Sequence, residues 1–213
     1  MKARRPVRTM LLAAACLLAT HGTLAASQPL KQGTGPAKAA VSSSDPRWVE
    51  LGHARWIADG REDAPRKVYV FTDPNCPYCT KLWSDARPWV DSGKVQLRHV
   101  IVGVLTATSE GKAAAILGDK DPAAKLAAYE SSHAFSVASM LASGRPHPVE
   151  DSSLKPLSPI PASLQADLDA NQRIMAALGL RATPGIASIG EDGKVVARQG
   201  LRPQDLVDVF GPR

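Results

Sequence analysis

Cys76 and Cys79, three positions apart in a chain of 213 residues, are the side chains whose type and spacing imply chemistry most directly. The apolar, β-branched run Val68-Tyr-Val-Phe-Thr breaks at Asp73-Pro74, and Cys79, Leu82, Trp83, Ala86, Trp89 and Val90 then recur at helical spacing. The pattern predicts a strand, a turn, and a helix that opens at the first cysteine. Pro77 falls in the first turn of that helix, where the N–H it lacks would have had no partner. Cys76 is thereby placed at the positive end of the helix dipole, beside unpaired backbone N–H groups that favour a thiolate over a thiol. A thiolate attacks disulfides. Cys79, on the same helical face, can close a small ring with Cys76 and so resolve a mixed disulfide, which makes the pair a candidate redox couple.

Two blander uses of the pair fare worse. A zinc site needs a second pair of ligands, and apart from Cys16 the chain has no further cysteine and no closely spaced histidine pair. A purely structural bridge across two residues closes so small a loop that it removes little unfolded-chain entropy, ~2 kcal/mol or less. No metal and no cofactor is expected.

Residues 1–25 carry Lys2, Arg4, Arg5 and Arg8, then an apolar run, then small residues ending in Ala25, the order of a cleavable secretory signal. The run is too short for a permanent membrane span. Arg4-Arg5 lacks the bulky apolar residues that follow a twin-arginine signal, and a lipid anchor at Cys16 would leave too short an apolar core, so general export is expected. Removing these residues takes away Cys16 and four cations without an anion, which lowers the formal charge from +6 to about +2. No nucleic-acid footprint survives. One closely spaced cysteine pair in an oxidising compartment points to reactivity rather than stapling.

Residues 26–45 are rich in Ser, Ala, Gly, Pro and Lys and predict a flexible leader. Partial helical spacing from Asp45-Pro46 onward, through Trp48, Leu51, Ala54 and Ile57, predicts a linker-like helix within 46–64, ahead of a catalytic domain at 65–213. A kink is expected at Pro88, then a strand at 95–102 in which His99 faces a polar side, then Ala-rich helices at 110–117 and 123–129. Five prolines and weak periodicity make 144–161 a long surface loop. A helical stripe from Leu164 to Leu178, a hairpin over 186–198 and a closing helix at 203–210 complete the chain. The order is an α/β thioredoxin-like fold with a helical insertion, at about 105–180, between a βαβ half and a C-terminal ββα half.

Thr183-Pro184 stands directly before a central strand. A proline there marks an edge, a bulge or a cis bond, or else simply a trans proline ending the preceding helix. A cis proline facing the dithiol would leave free backbone groups that can bind a client peptide as an added strand.

Phe71-Thr-Asp-Pro-Asn-Cys-Pro-Tyr-Cys79, with Trp83 and the stretch Ala86-Arg-Pro-Trp-Val-Asp-Ser-Gly-Lys-Val-Gln-Leu-Arg98, resembles the DsbC/DsbG branch of thioredoxin-fold proteins, the periplasmic thiol:disulfide interchange proteins. Trp56-Ile-Ala-Asp-Gly-Arg-Glu-Asp-Ala-Pro65 resembles that branch's linker, and Ala113-Ala-Ala-Ile-Leu117 and Thr183-Pro184 match further along. The resemblance implies that Cys76 is the nucleophile, Cys79 the resolving cysteine, Pro77 and Tyr78 a tuning pair, and Thr183-Pro184 a cis-proline substrate loop. It also implies a membrane reductant of the DsbD kind as partner, and exported client proteins carrying misbridged or sulfenylated cysteines as substrates. Members of the branch carry an N-terminal dimerisation domain, whereas here the leader precedes the linker-like segment, which predicts a monomer. The expected activity is disulfide reductase or isomerase; a dithiol oxidase of the DsbA kind and a peptide-binding chaperone are the alternatives.

Overall fold

A computed structural model of the protein describes residues 43–213. The expected signal at 1–25 and nearly all of the expected leader lie outside the described residues.

The centre is a five-stranded sheet built from β1 (Trp56–Asp59), β2 (Arg66–Thr72), β3 (Val95–Ile101), β4 (Gly185–Ile189) and β5 (Val195–Gln199), in the order β1-β3-β2-β4-β5. β2 and β3 run parallel, joined by helix α2 (Pro77–Val90), and the remaining neighbours are antiparallel. β2 is central and buried on both faces, so its residues sort by alternation. Val68 and Val70 pack with Leu82, Ala86 and Trp89 of α2 and with Val209 and Phe210 of the closing helix α6 (Leu206–Phe210). Tyr69 and Phe71 turn to the opposite face, against Leu51 of α1 (Pro46–His53) and Ile174 and Met175 of α5 (Ala162–Ala177). Trp89 anchors the first of these layers, with its indole N–H donated to the Gly211 carbonyl at 2.8 Å and its ring 5.4 Å from that of Phe210.

Between β3 and β4 the chain inserts α3 (Ser109–Leu117), α4 (Pro122–Ala142) and α5, which share a third apolar cluster with Ile57 and Ile101. α4 is longer than the spacing over 123–129 suggests and lies along α2. Within the extension, Ser132 and Ser136 donate back to the carbonyls of Tyr129 and His133, so their hydroxyls are satisfied inside the helix. α2 passes through Pro88 and ends at Val90.

The reading of 46–64 as a helical linker is corrected. α1 stops at His53, and Trp56–Asp59 is an edge strand of the sheet, antiparallel to β3. Asn171 makes that switch: its side chain accepts from the Arg55 N–H and donates to the carbonyls of Arg55 and Ile101, bonding the chain in extended form. Asp59 then fastens the edge strand to α2 by an ion pair with Arg87, while His99 sits 3.3 Å from the same carboxylate. Burial works against the Asp59 charge, but His99 and Arg87 outweigh it and hold the carboxyl far below its usual range. His99 is only 2% exposed and also meets the Thr72 hydroxyl, so it is a buried, bonded residue and not one on a polar face.

Candidate active site

The site forms where β2 ends and α2 begins. Asp73 makes the corner: its carboxylate accepts from the Asn75 N–H at 2.8 Å, from the Ser109 hydroxyl at 2.8 Å, and from the N–H groups of Val104 and Leu105 at 2.7 and 2.9 Å. With four donors, a carboxylate only 1% exposed is fully provided for. Asn75, wholly buried, continues the network, donating to the hydroxyls of Thr106 and Thr108 and accepting from the buried Lys112 ammonium at 2.8 Å. Gly103 lets this loop close, because a Cβ there would lie 2.3 Å from the Glu110 Cα in the first turn of α3. The proline-rich loop over 143–161 is tied to the same corner, with the Val149 N–H donated to the Asn75 carbonyl at 2.8 Å and the Thr108 hydroxyl to Glu150 at 3.0 Å.

Cys76 emerges from this corner as the N-cap of α2, in extended conformation, with Pro77 as the first helical residue. Its carbonyl accepts from the Cys79 N–H at 3.1 Å, which brings Cys79 back over Cys76. Both cysteines are free thiols and both are 3% exposed. The Thr183-Pro184 peptide bond is cis, and β4, starting at Gly185 beside Phe71, presses that loop against the start of α2. Cys76 Sγ lies 3.3 Å from the Thr183 carbonyl. The structure therefore brings Cys76, Cys79, Pro77, Thr183 and Pro184 together, and leaves Tyr78 about half exposed at their side.

The two sulfurs are held in opposite states. The Cys79 thiol is the strongest influence on Cys76; with the Thr183 side chain and the backbone N–H groups of Cys79 and Tyr78, it outweighs burial and lowers the Cys76 thiol from 9.0 to about 7. Cys79 is pushed well above the ordinary thiol range, chiefly by burial, then by its bond and its charge coupling to Cys76. One sulfur is thus a ready nucleophile at neutral pH and its neighbour is a proton-bearing partner.

A thioredoxin-like domain family model matches residues 57–209 of the chain. The chain belongs to that family. Among curated relatives, the thiol:disulfide interchange protein DsbG of Pseudomonas aeruginosa is 44% identical over 167 residues, covering 78% of this chain and 59% of the relative. DsbG of Escherichia coli is 39% identical over 163 residues, covering 76% of this chain and again 59% of the relative. The chain therefore spans 59% of the length of each. Two solved structures share the fold: the catalytic domain of Proteus mirabilis ScsC, with a TM-score of 0.56 at 19% identity over 78% of this chain and 93% of that one, and a periplasmic thioredoxin-like protein from Salmonella enterica serovar Typhimurium, with 0.57 at 17% over 80% and 96%.

Sequence reasoning missed several titratable groups around the site. Glu130 lies on α4, only 1% exposed, and burial raises its carboxyl to about 7. In the sequence it is one polar residue in Tyr-Glu-Ser-Ser, and nothing local signals that this turn of α4 faces α2. Asp73, Asn75 and Lys112 were missed for a similar reason, since their partners come from loops some thirty residues away.

Proposed function

We propose that the protein is a thiol-disulfide oxidoreductase of the periplasm that acts on disulfides or sulfenylated cysteines of exported proteins, in a reductase or isomerase role. The observation that carries this reading is the lowered Cys76 thiol at the N-terminus of α2, beside the Thr183 carbonyl and the cis Pro184. In the proposed reaction the Cys76 thiolate attacks one sulfur of a client disulfide, and the other client sulfur leaves as a thiolate. With a sulfenic acid, hydroxide leaves instead. Cys79 then attacks Cys76, the client thiolate departs, and the Cys76–Cys79 pair is left oxidised by two electrons, which a membrane reductant of the DsbD kind would supply to regenerate the dithiol. The names of the DsbG relatives, as thiol:disulfide interchange proteins, support the reaction class. Pro77 and Tyr78 would tune the thiolate, and the free backbone at Thr183 would pair with an extended client segment.

The degree of activation supports the reductive direction. The strongly oxidising dithiol of DsbA has a much stabilised thiolate, near ~3.5, whereas that of the reducing thioredoxin sits near ~7. Cys76, at about 7, falls with the second kind.

The test is acid-quenched alkylation of intact cells expressing the full chain, with Cys79→Ser run beside it. A pair found mostly reduced, and client proteins trapped on Cys76 of the variant, are the expected results. A pair found mostly oxidised would leave a dithiol oxidase; unaltered activity in Cys76→Ser would mean a chaperone that does not use the dithiol.

A further inference from the structure

We propose that the proline-rich strap over 143–161 forms a specificity wall beside the dithiol, which together with Arg181 favours client segments carrying acidic residues near the exchanging cysteine. This rests on the exchange reading above and names the class of client segment that the same site prefers.

The strap is anchored to the corner that holds Cys76 and to the helices beside it. The Val149 N–H is donated to the Asn75 carbonyl, one residue before Cys76, and the Lys112 ammonium lies 3.5 Å from the Val149 carbonyl. His133 of α4 pairs with Asp151, and Leu154 is buried in the apolar cluster of α3, α4 and α5. The Leu157 N–H is donated to the Gly111 carbonyl at 3.0 Å, and a Cβ on Gly111 would lie 2.6 Å from the Pro156 ring. Residues 143–148 are the stretch these ties leave exposed.

The course of that stretch follows from its ends. Leu141 and Ala142 line a groove with Lys81, Ser84 and Asp85 of α2, while Val149 rests on Asn75. Residues 143–148 therefore cross beside the first turn of α2, where Tyr78 is half exposed. Pro146 and Pro148 fix their own φ and bias Arg145 and His147, the residues before them, to extended backbone. The strap thus presents its side chains with little backbone freedom to lose on binding.

Most charges along this rim are already engaged. Lys81 bonds Asp85 at 2.7 Å, Glu150 accepts from the Thr108 hydroxyl, and Asp151 is paired with His133. His147 donates its Nδ1–H to the Pro148 carbonyl at 3.0 Å. Arg145 is exposed and has no ion-pair partner among the described residues. Across the dithiol, Arg181 stands on the chain entering Thr183-Pro184, its backbone N–H held by the Gln199 side chain at 3.0 Å. It too is exposed and without an ion-pair partner among the described residues. A guanidinium on each wall offers paired, charge-assisted bonds to a carboxylate and repels an ammonium, so the sign of the residues flanking a client cysteine decides how readily it is presented to Cys76.

The experiment follows the reduced full chain reacting with peptides whose cysteine is held as a 2-thiopyridyl disulfide. The peptides differ only in having Asp, Ser or Lys within about four extended residues of the cysteine on both sides. The Cys76 thiolate bonds the peptide sulfur, the S–S bond to the pyridyl group breaks, and the electron pair leaves on pyridine-2-thiolate, which takes a proton to give the absorbing thione. Each rate is divided by that of 2-mercaptoethanol on the same peptide, which removes the peptide's own reactivity. The Asp peptide should outpace the Lys peptide about ten-fold at ~10 mM salt and by less than about two-fold at ~1 M. Arg145→Glu should cut the low-salt ratio roughly five-fold, Arg181→Glu should cut it as well, and the double variant should prefer the Lys peptide. Arg66→Glu, an equal change of net charge at the far end of β2, should leave the ratio within about 1.5-fold of wild type. A low-salt ratio below about two-fold, or one that salt does not alter, would overturn the proposal. So would an undiminished ratio in Arg145→Glu, or an equal fall in Arg66→Glu. If a variant fails to fold, the salt dependence of the wild type decides. Failure of Cys76 to react with the Ser peptide would instead overturn the exchange reading, and this inference with it.

Discussion

Asp73 and Glu130 are both about 1% exposed beside the same dithiol, yet one carboxylate has four donors and the other keeps an oxygen without a partner. Asp73 belongs to the corner that places Cys76. Its oxygens are saturated with donors, so its worth lies in being fixed. Glu130 belongs to the α2–α4 contact behind Cys79, where burial has raised its carboxyl into the neutral range. The difference teaches how to separate a carboxylate that builds a site from one that is merely enclosed beside it: the first has its lone pairs spoken for, and the second keeps an oxygen free and is stable in the protonated form.

The largest effect expected from breaking this contrast is at Asp73. Asp73→Ala strands the N–H groups of Asn75, Val104 and Leu105 and the Ser109 hydroxyl, and should cost about 3–5 kcal/mol, read as a fall in the urea midpoint. A loss under ~1 kcal/mol would show that the corner does not depend on the carboxylate. Next is Glu130, whose sign is opposite. Its carboxyl titrates higher in the folded chain than its ordinary 4.5, so the stability it lends is full below pH 4.5 and is lost as pH rises through about 7. Glu130→Gln should therefore gain about 3 kcal/mol over wild type at pH 8.5 and nothing at pH 4, by denaturant unfolding at the two pH values. A variant less stable at both would contradict it.

Lys112→Met should cost about 1.5–2 kcal/mol, since it removes a charged donor from the Asn75 amide, and should leave the ionisation of Cys76 where it is. The smallest effect sharpens the same line. Glu130→Gln removes a negative charge coupled to Cys76, so it should move the Cys76 thiol below about 7, followed by thiolate absorbance. If Lys112→Met moved that ionisation and Glu130→Gln did not, the assignment of the two regions would be reversed.

The parts of the fold that were legible in the sequence are those with local causes. The Cys-Pro-Tyr-Cys helix start follows from a proline at the first turn and a clean 3.6-residue stripe. The hairpin over β4 and β5 follows from two apolar runs around Glu191-Asp-Gly193. The edge strand was not legible, because Ile57 and Ala58 continue the helical spacing of α1 and the residue that ends the helix, Asn171, is over a hundred positions away. His99 looked like half of a polar face because its partner Asp59 sits on that unread strand. Glu130 was invisible for a related reason: a glutamate among serines reads as solvated until α4 is packed on α2.

The most direct test of the central claim is the pH dependence of alkylation of the reduced protein at limiting iodoacetamide, with the modified residue located by mass spectrometry. The structure predicts that Cys76 reacts first, with an inflection at about 7, while Cys79 stays protected. Equal labelling of the two cysteines, or an inflection near the ordinary 9.0, would contradict the account of Cys76 as an activated nucleophile.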